Sequence, residues 1–463
     1  MHKTLMATRR LPVMVFFATL TACGGGGSSD TQIQETDPQS APNDEQVQCD
    51  TASQTQWAYD AMRDFYLFAD QVPTVDSQSF ESADDLVREL RFEERDTFSN
   101  VSNANTSALF FEQGRTFGLG YRWRPDEQGS PRIADVLGDS PFGRAGIERG
   151  DIIVSVNGLA WDDPQLGEIW DTQVAGSPDN IVTSTWQFEK RDTGNIAEHR
   201  FTVAEYGIDT VLRDYFTHPS YPGKIGYLML RSFLSTSEME ISEAADFFEQ
   251  QGISELVLDL RYNGGGRVSI ARQLASIIGG TSVAGLPIYN YQFNNRYSAD
   301  NFTLNFFDDQ TNAGLNRVVV LTTDRTASAS EMVIAGLQPH MEVVTIGSRT
   351  TGKPYISYPY VRCDDRLNII EAEGFNDAGN SVFGGIVPTC LAEDDVTRNF
   401  GINPVNDEVE GLLDAAIDHL VTGSCNTQLV ATDANSGMAR RAQDGDASSR
   451  QGISLPGGAI GSR

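Results

Sequence analysis

From residue 207 onward the apolar positions follow two alternating periods. Nearly continuous aliphatic runs at 224–230, 253–260, 318–321 and 343–347 read as strands buried on both faces. Between them, apolar residues recur at helical spacing. A helix over 237–251 is expected to turn Met239, Ile241, Ala244, Phe247 and Phe248 inward, a second covers 268–278, and a third opens just after Ser328. This alternation predicts a layered α/β domain with a largely parallel sheet over 207–425, and such sheets gather function at the carboxyl ends of their strands. Upstream, over 113–206, the pattern changes to short strands and turns, with a short helix ending at Gly146, an apolar strand over 151–156 and a hairpin turn at Asn157-Gly158. Earlier still, Trp57, Met62, Phe65, Tyr66 and Phe68 recur at helical spacing and 83–90 forms a second amphipathic segment. A small helical N-terminal unit over 49–112, packed on something larger, is therefore expected.

The two ends carry no such periods. Residues 1–22 hold Lys3, Arg9 and Arg10 ahead of an apolar run over 11–20, too short to cross a bilayer that needs about 20 residues, and so read as an export signal. Leu20-Thr21-Ala22-Cys23 resembles a bacterial lipobox, which implies cleavage before Cys23 and lipid attachment there. The Gly-, Ser- and Gln-rich stretch over 23–48 then serves as a flexible linker, and 426–463 reads as a disordered tail. The expected location is on a bacterial membrane, in particular the outer membrane, facing the periplasm or the cell surface.

Composition adds exclusions. The formal charge is −30, and −33 without the leader's three basic residues, which repels nucleic acid and polyanionic substrates. Beyond Cys23 four cysteines remain, an even number in an exported chain, so two disulfides are expected. By the segments they bracket, Cys363 pairs with Cys390 and Cys49 with Cys425. No CxxC or Cys/His spacing suggests a metal site, and no cofactor is expected.

Candidate chemistry sits at two strand ends, 259–266 (DLRYNGGG) and 326–331 (TASASE). Acyl transfer from a serine needs a nucleophile, a base and backbone N–H groups aimed at the developing oxyanion. Glycines at 264–266 permit close approach, and a serine at a helix N-terminus adds an amide and a favourable dipole. None of the five histidines is placed by sequence as a base. Lys353, held extended by Pro354, offers another solution, because burial lowers an amine pKa.

These motifs, LVLDLRYNGGG at 256–266, TASASE at 326–331 and TTGK at 350–353, resemble the carboxyl-terminal processing (tail-specific) serine peptidases. The resemblance implies a PDZ β-barrel-like domain over 113–206 ahead of a crotonase/Clp-peptidase-like α/β catalytic domain. It implies Ser328 as nucleophile, Lys353 as base, and Gly265, Gly266 and Ala329 as the oxyanion hole, with Arg261, Glu331 and Thr350 supporting. Gly118, Leu119, Gly120 and Tyr121 fall on the PDZ loop that receives a peptide's carboxylate. Two positions depart from the pattern: Pro339 replaces an Asp, and Ser357 replaces a Gln that orients the lysine, so the Ser357 hydroxyl is the candidate substitute. The function implied is a serine endopeptidase acting on exported proteins or peptides, with a related amidase or cell-wall peptidase as a neighbouring reading. The contrasting reading is a catalytically silent PDZ scaffold or ligand-binding protein.

Overall fold

Asp50 opens the first helix, its carboxylate accepting from the Ser53 N–H (3.0 Å), and Ser82 caps the second in the same way. These helices, α1 (Thr51–Asp64) and α2 (Ala83–Leu90), turn Ala58, Met62, Leu86 and Val87 inward. Their core does not close on itself: it also contains Tyr355, Leu367, Ile369 and Ile370 from the far end of the chain. Strand β1 (Asn100–Asn103) then pairs with residues 365–368, and α3 (Ala104–Gln113) follows. The N-terminal unit, expected as a small helical region packed on something larger, thus also supplies a sheet strand. Asn-Val-Ser-Asn is too short and too polar to show a period of two. The computed structural model describes residues 48–308, 315, 317–400 and 409–425. The leader, Cys23, most of the linker and the tail after 425 lie outside the described residues.

The next module is a small antiparallel assembly. Its strands are β2 (Arg115–Gly118), β3 (Tyr121–Pro125), β4 (Pro131–Val136), β5 (Ile152–Val156), β6 (Leu159–Ala160), β7 (Thr183–Glu189), β8 (Ile196–Thr202) and β9 (Ala204–Gly207). They run in the order β3-β4-β5-β7-β8, with β6 hairpinned on β5 and β9 returning to β2. At the hairpin Asn157 and Gly158 both have positive φ (51° and 80°), as their turn requires. Helices α4 (Pro141–Arg144) and α5 (Pro164–Trp170) cover a core of Phe142, Trp161, Trp170, Trp186 and Phe188.

The third part contains two sheets. Its elements in chain order are β10 (Val211–Thr217), β11 (Lys224–Leu230), α6 (Ser237–Gln251), β12 (Glu255–Asp259), α7 (Val268–Gly279), β13 (Pro287–Phe293), β14 (Phe302–Asn305), β15 (Arg317–Thr322), α8 (Ala329–Leu337), β16 (Glu342–Gly347), β17 (Tyr355–Arg362), β18 (Asp365–Asn376), β19 (Cys390–Leu391) and α9 (Gly411–Thr422). The main sheet has the order β10-β11-β12-β15-β16-β19, parallel except for its first pair. Leu258, Val318 and Val320 face α6, α7 and α8, while Val257, Val319 and Leu321 face α9, which explains the uninterrupted apolar runs. The second sheet, β1-β18-β13-β14 with β17 on β18, carries the N-terminal helices. In α6, Ile241, Ala244 and Phe248 are buried as expected, but Met239 is 68% exposed, because it stands two residues from both Ser237 and Ile241 and so points away from the face they bury.

The disulfides correct the expected pairing: Cys49 joins Cys363, and Cys390 joins Cys425. Cys363 lies in the turn between β17 and β18, against which the start of α1 packs, with Arg362 Nη2 donating to Gln48 O (3.3 Å). Cys390 lies on the edge strand beside the end of α9. Bracketing in sequence fails because Cys363 and Cys390 belong to different sheets. The first bridge closes 314 residues and the second 35. On chain entropy its removal is expected to destabilise by about 2 kcal/mol more. Thermal unfolding of Cys49→Ser/Cys363→Ser against Cys390→Ser/Cys425→Ser checks this, and equal losses in the two variants contradict it.

Candidate active site

β12 and β15 are neighbours in the parallel sheet, and each ends in a corner of small or polar residues. The two corners are fastened to one another. Thr326 Oγ1 donates to Leu260 O (2.8 Å), the Ala327 N–H to Asn263 O (3.1 Å), Ser330 Oγ to the same carbonyl (2.9 Å), and Thr323 Oγ1 to Arg261 O. Two motifs that are separate in sequence are one hydrogen-bonded unit in space.

Ser328 stands where β15 hands over to α8, with φ 60° and ψ −114°. A non-glycine residue in this region stores about 1–3 kcal/mol of strain unless its surroundings hold it there. Glu331, fully buried in the first turn, supplies that hold: its carboxylate accepts the Ser328 N–H (2.7 Å). The same carboxylate accepts from Thr350 Oγ1 (2.5 Å), the Gly352 N–H (2.6 Å) and the Lys353 N–H (2.9 Å). Glu331 therefore locks the lysine corner to the serine corner. Burial pushes its own pKa up against the pull of those hydrogen bonds. Thr350 extends the clamp by accepting from the Ile386 N–H (2.7 Å).

Ser328 and Lys353, 4% and 5% exposed, line one narrow cleft with Tyr289, Tyr291, Met332 and Tyr355. Burial pushes the Lys353 amine down to about 8 from its ordinary 10.5, against the opposing charges of Asp96 and Glu331. Among the described residues no histidine lines the cleft: His340 meets Pro287 O (2.8 Å), His199 stacks on Phe201, and His419 lies against the Cys390–Cys425 bridge. That last trio is the one Cys/His grouping among the described residues, and its two sulfurs are bonded to each other.

Gly265 (φ 107°) leaves no room for a side chain; a Cβ there lies 2.8 Å from Ser328 Cβ and 3.0 Å from Ala329 N. Its N–H donates to Asn263 Oδ1 (2.9 Å), so among the three expected oxyanion donors the Gly265 amide is already engaged. Ala329, the first residue of α8, has an N–H with no intrahelical acceptor, and Gly266 (φ 139°) lies beside Phe233. Ser357 is buried at the β17 bulge and does not line the cleft. Behind the corners, the fully buried Arg261 pairs with Asp259 (2.8 Å), Asp394 (2.9 Å) and Glu410 (2.9 Å).

In the upstream module, Gly118 (φ 140°) and Gly120 (φ 82°) occupy conformations that need glycine, and Leu119 and Tyr121 are buried with them. The loop's carbonyls are taken: Leu119 O accepts from the Phe142 N–H (3.1 Å) and Gly120 O from the Leu137 N–H (3.0 Å). A Cβ at Gly120 falls 1.9 Å from Ser140 Cβ. The module is tied to this region by Arg124–Asp324 (2.8 Å), beside the serine corner, and by Arg149–Asp394 (2.7 Å), Asp394 in turn pairing with Arg261. Asp96, Phe98, Asn263, Asp394 and Glu410 escape the sequence reading. Each sits in an aperiodic stretch, and its role comes entirely from partners distant in the chain.

Residues 224–391 match Peptidase family S41, and residues 53–100 match the Peptidase S41 N-terminal domain. A carboxyl-terminal-processing protease of Picosynechococcus sp. is 29% identical over 222 residues, covering 48% of this chain and 50% of that protein. A chloroplastic C-terminal processing peptidase of Tetradesmus obliquus is 29% identical over 248 residues, 49% of each. The chain thus spans about half the length of these curated relatives. A Bacteroides fragilis structure described as an S41 protease superposes with a TM-score of 0.62 at 22% identity, covering 83% of this chain and 99% of that one, a likeness of fold. Over residues 53–100 and 224–391 the chain is thus similar to peptidase family S41, which supports a serine-type peptidase hydrolase.

Proposed function

We propose that this chain is a serine endopeptidase in which Ser328 is the nucleophile and Lys353 the general base. The observation that carries the reading is the pairing of a serine in a strained, left-handed turn at a helix N-terminus with a buried amine lowered to about 8, both on one cleft. The neutral Lys353 amine takes the Ser328 Oγ proton as Oγ bonds to the scissile carbonyl carbon. The resulting oxyanion faces the Ala329 and Gly266 amides at the positive end of α8. The Lys353 ammonium then protonates the leaving nitrogen, and water, deprotonated by the same amine, releases the acyl group. The chemistry needs only these side chains and backbone amides.

The cleft walls, Tyr289, Tyr291, Met332 and Val382, favour an apolar substrate side chain. The substrates in this reading are exported proteins or peptides, selected by their carboxyl termini at Gly118 to Tyr121 of a PDZ module. Because α4 covers that loop, tail binding there entails a local opening. Two disulfides suit an oxidising compartment, in keeping with export and a lipid anchor at Cys23.

An unfolded reporter tests the reading, offered with a free or an amidated apolar carboxyl terminus. Faster cleavage of the free form is expected, and equal rates remove the tail-selection part. The pH dependence tests the base. Because only the neutral amine accepts a proton, kcat/KM rises with pH through an acid limb near 8. A limb in the ordinary histidine range, near ~6.5, assigns the base elsewhere.

A further inference from the structure

The side of the cleft that holds Lys353 Nζ is closed by the N-terminal region rather than by the main sheet. The Phe98 ring lies under Nζ, its centroid 5.1 Å away, and rests against Tyr355 at 6.2 Å between ring centroids. Two residues earlier, Asp96 is fully buried. Its Oδ1 accepts from the Phe98 N–H (2.7 Å) and the Ser99 N–H (2.9 Å), and its Oδ2 from Tyr66 OH (2.9 Å). None of these three donors carries a charge.

The other titratable groups around the amine are accounted for. Glu331 is clamped by four hydrogen bonds on the α8 side. Arg95 and Glu373 pair with each other at 2.9 Å, and Arg95 also donates to Tyr355 OH (3.2 Å). Burial raises Tyr355 to about 12 and lifts Tyr289 and Tyr291 as well, so all three stay neutral.

A purely apolar pocket keeps an amine neutral but makes it a poor proton acceptor, since the ammonium that must form is left unsolvated. A buried carboxylate and an aromatic face restore affinity for that cation without admitting water. We propose that Asp96 and Phe98 are positioning residues for the base, holding the Lys353 ammonium formed when the Ser328 proton is taken. On this view the N-terminal region completes the catalytic apparatus. The proposal rests on the Ser328 and Lys353 reading above.

The chain has four lysines, Lys3, Lys190, Lys224 and Lys353, so 13Cε-lysine NMR of the full protein follows the Lys353 titration directly, with Lys353→Met as the assignment control. Asp96→Asn keeps an acceptor for the two N–H groups but removes the charge, and lowers the Lys353 pKa by about one pH unit. Phe98→Leu keeps the site dry but removes the ring face, and lowers it by about half a unit. Phe98→Ala admits water and raises it by about one unit. Loss of packing alone does not give opposite signs at one position. A Lys353 titration unmoved in both Asp96→Asn and Phe98→Leu overturns the proposal. A second readout is the pH dependence of Ser328 labelling by a fluorophosphonate. Labelling whose acid limb stays fixed in these variants overturns this proposal and leaves the dyad standing, whereas wild type that never reacts at Ser328 overturns both.

Discussion

Replacing Ser328 with alanine or Lys353 with methionine is expected to lower kcat/KM by ~10³-fold or more, and the double variant no further, because nucleophile and base act as one unit. The same methionine variant is expected to be more stable than wild type at neutral pH. The folded Lys353 amine sits at about 8 against an ordinary 10.5. Below about pH 8 both folded and unfolded chains are protonated there, and the folded chain carries the full penalty of a buried ammonium. Between about 8 and 10.5 the unfolded chain binds a proton that the folded one does not, so wild-type stability climbs with pH. Methionine, similar in length and uncharged, escapes the penalty. The variant therefore gains ~2–3 kcal/mol at pH 7, and the gain fades toward pH 10.5. Reporter kinetics and thermal unfolding at three pH values check both halves. A methionine variant that keeps a tenth of wild-type activity, or that unfolds below wild type at pH 7, contradicts the buried-base assignment.

Arg261→Met is expected to give the largest loss of stability. The Arg261 guanidinium is fully buried between Asp259, Asp394 and Glu410, with Arg149 on the far side of Asp394. Removing it leaves three buried carboxylates sharing one remaining cation, which is expected to destabilise by ~3–5 kcal/mol and, for a folded region of this size, to lower Tm by ~4–7 °C. Arg88, exposed and paired with Asp84 one turn away, is the control: Arg88→Ala is expected to change stability by less than ~1 kcal/mol. The pH dependence separates wild type from variant. In wild type, Arg149 and Arg261 hold the Asp394 pKa well below the ordinary carboxylate range, so its contribution is present at neutral pH and lost on acidification. In the variant the stranded carboxylates have raised pKa values, so its residual stability falls as pH rises through them. Urea unfolding of both proteins across pH 4–8 tests this, and parallel pH profiles contradict the network's role.

The strands and helices of the main sheet are legible in the sequence because burial on both faces writes itself into continuous apolar runs. Such a run needs no knowledge of its neighbours. The Ser328 and Lys353 corners are legible for a related reason: small residues at a strand end and a proline after a lysine constrain the backbone locally. Local signals failed wherever a residue's role comes from a partner far away in the chain. Met239 is different, a local pattern misread: it stands two residues from both Ser237 and Ile241, so it points to the opposite, exposed side of α6. The disulfides followed the order of strands in two sheets, and strand order is set by long-range pairing, which bracketing cannot express.

The sequence by itself determined the element types, the α/β class of 207–425 and the residues around which a serine chemistry could be built, because each depends on period, turn chemistry or residue type within a few positions. Only the tertiary structure decided what those residues meet. It joined the glycine and serine corners through Asn263, let Glu331 clamp Ser328 to Lys353, and brought Phe98, held by Asp96, across some 250 positions to the lysine amine. The physical reason is that a buried charge takes its pKa from every group within a few ångströms, and distance in space is the one quantity that a local pattern of apolar and polar residues does not carry.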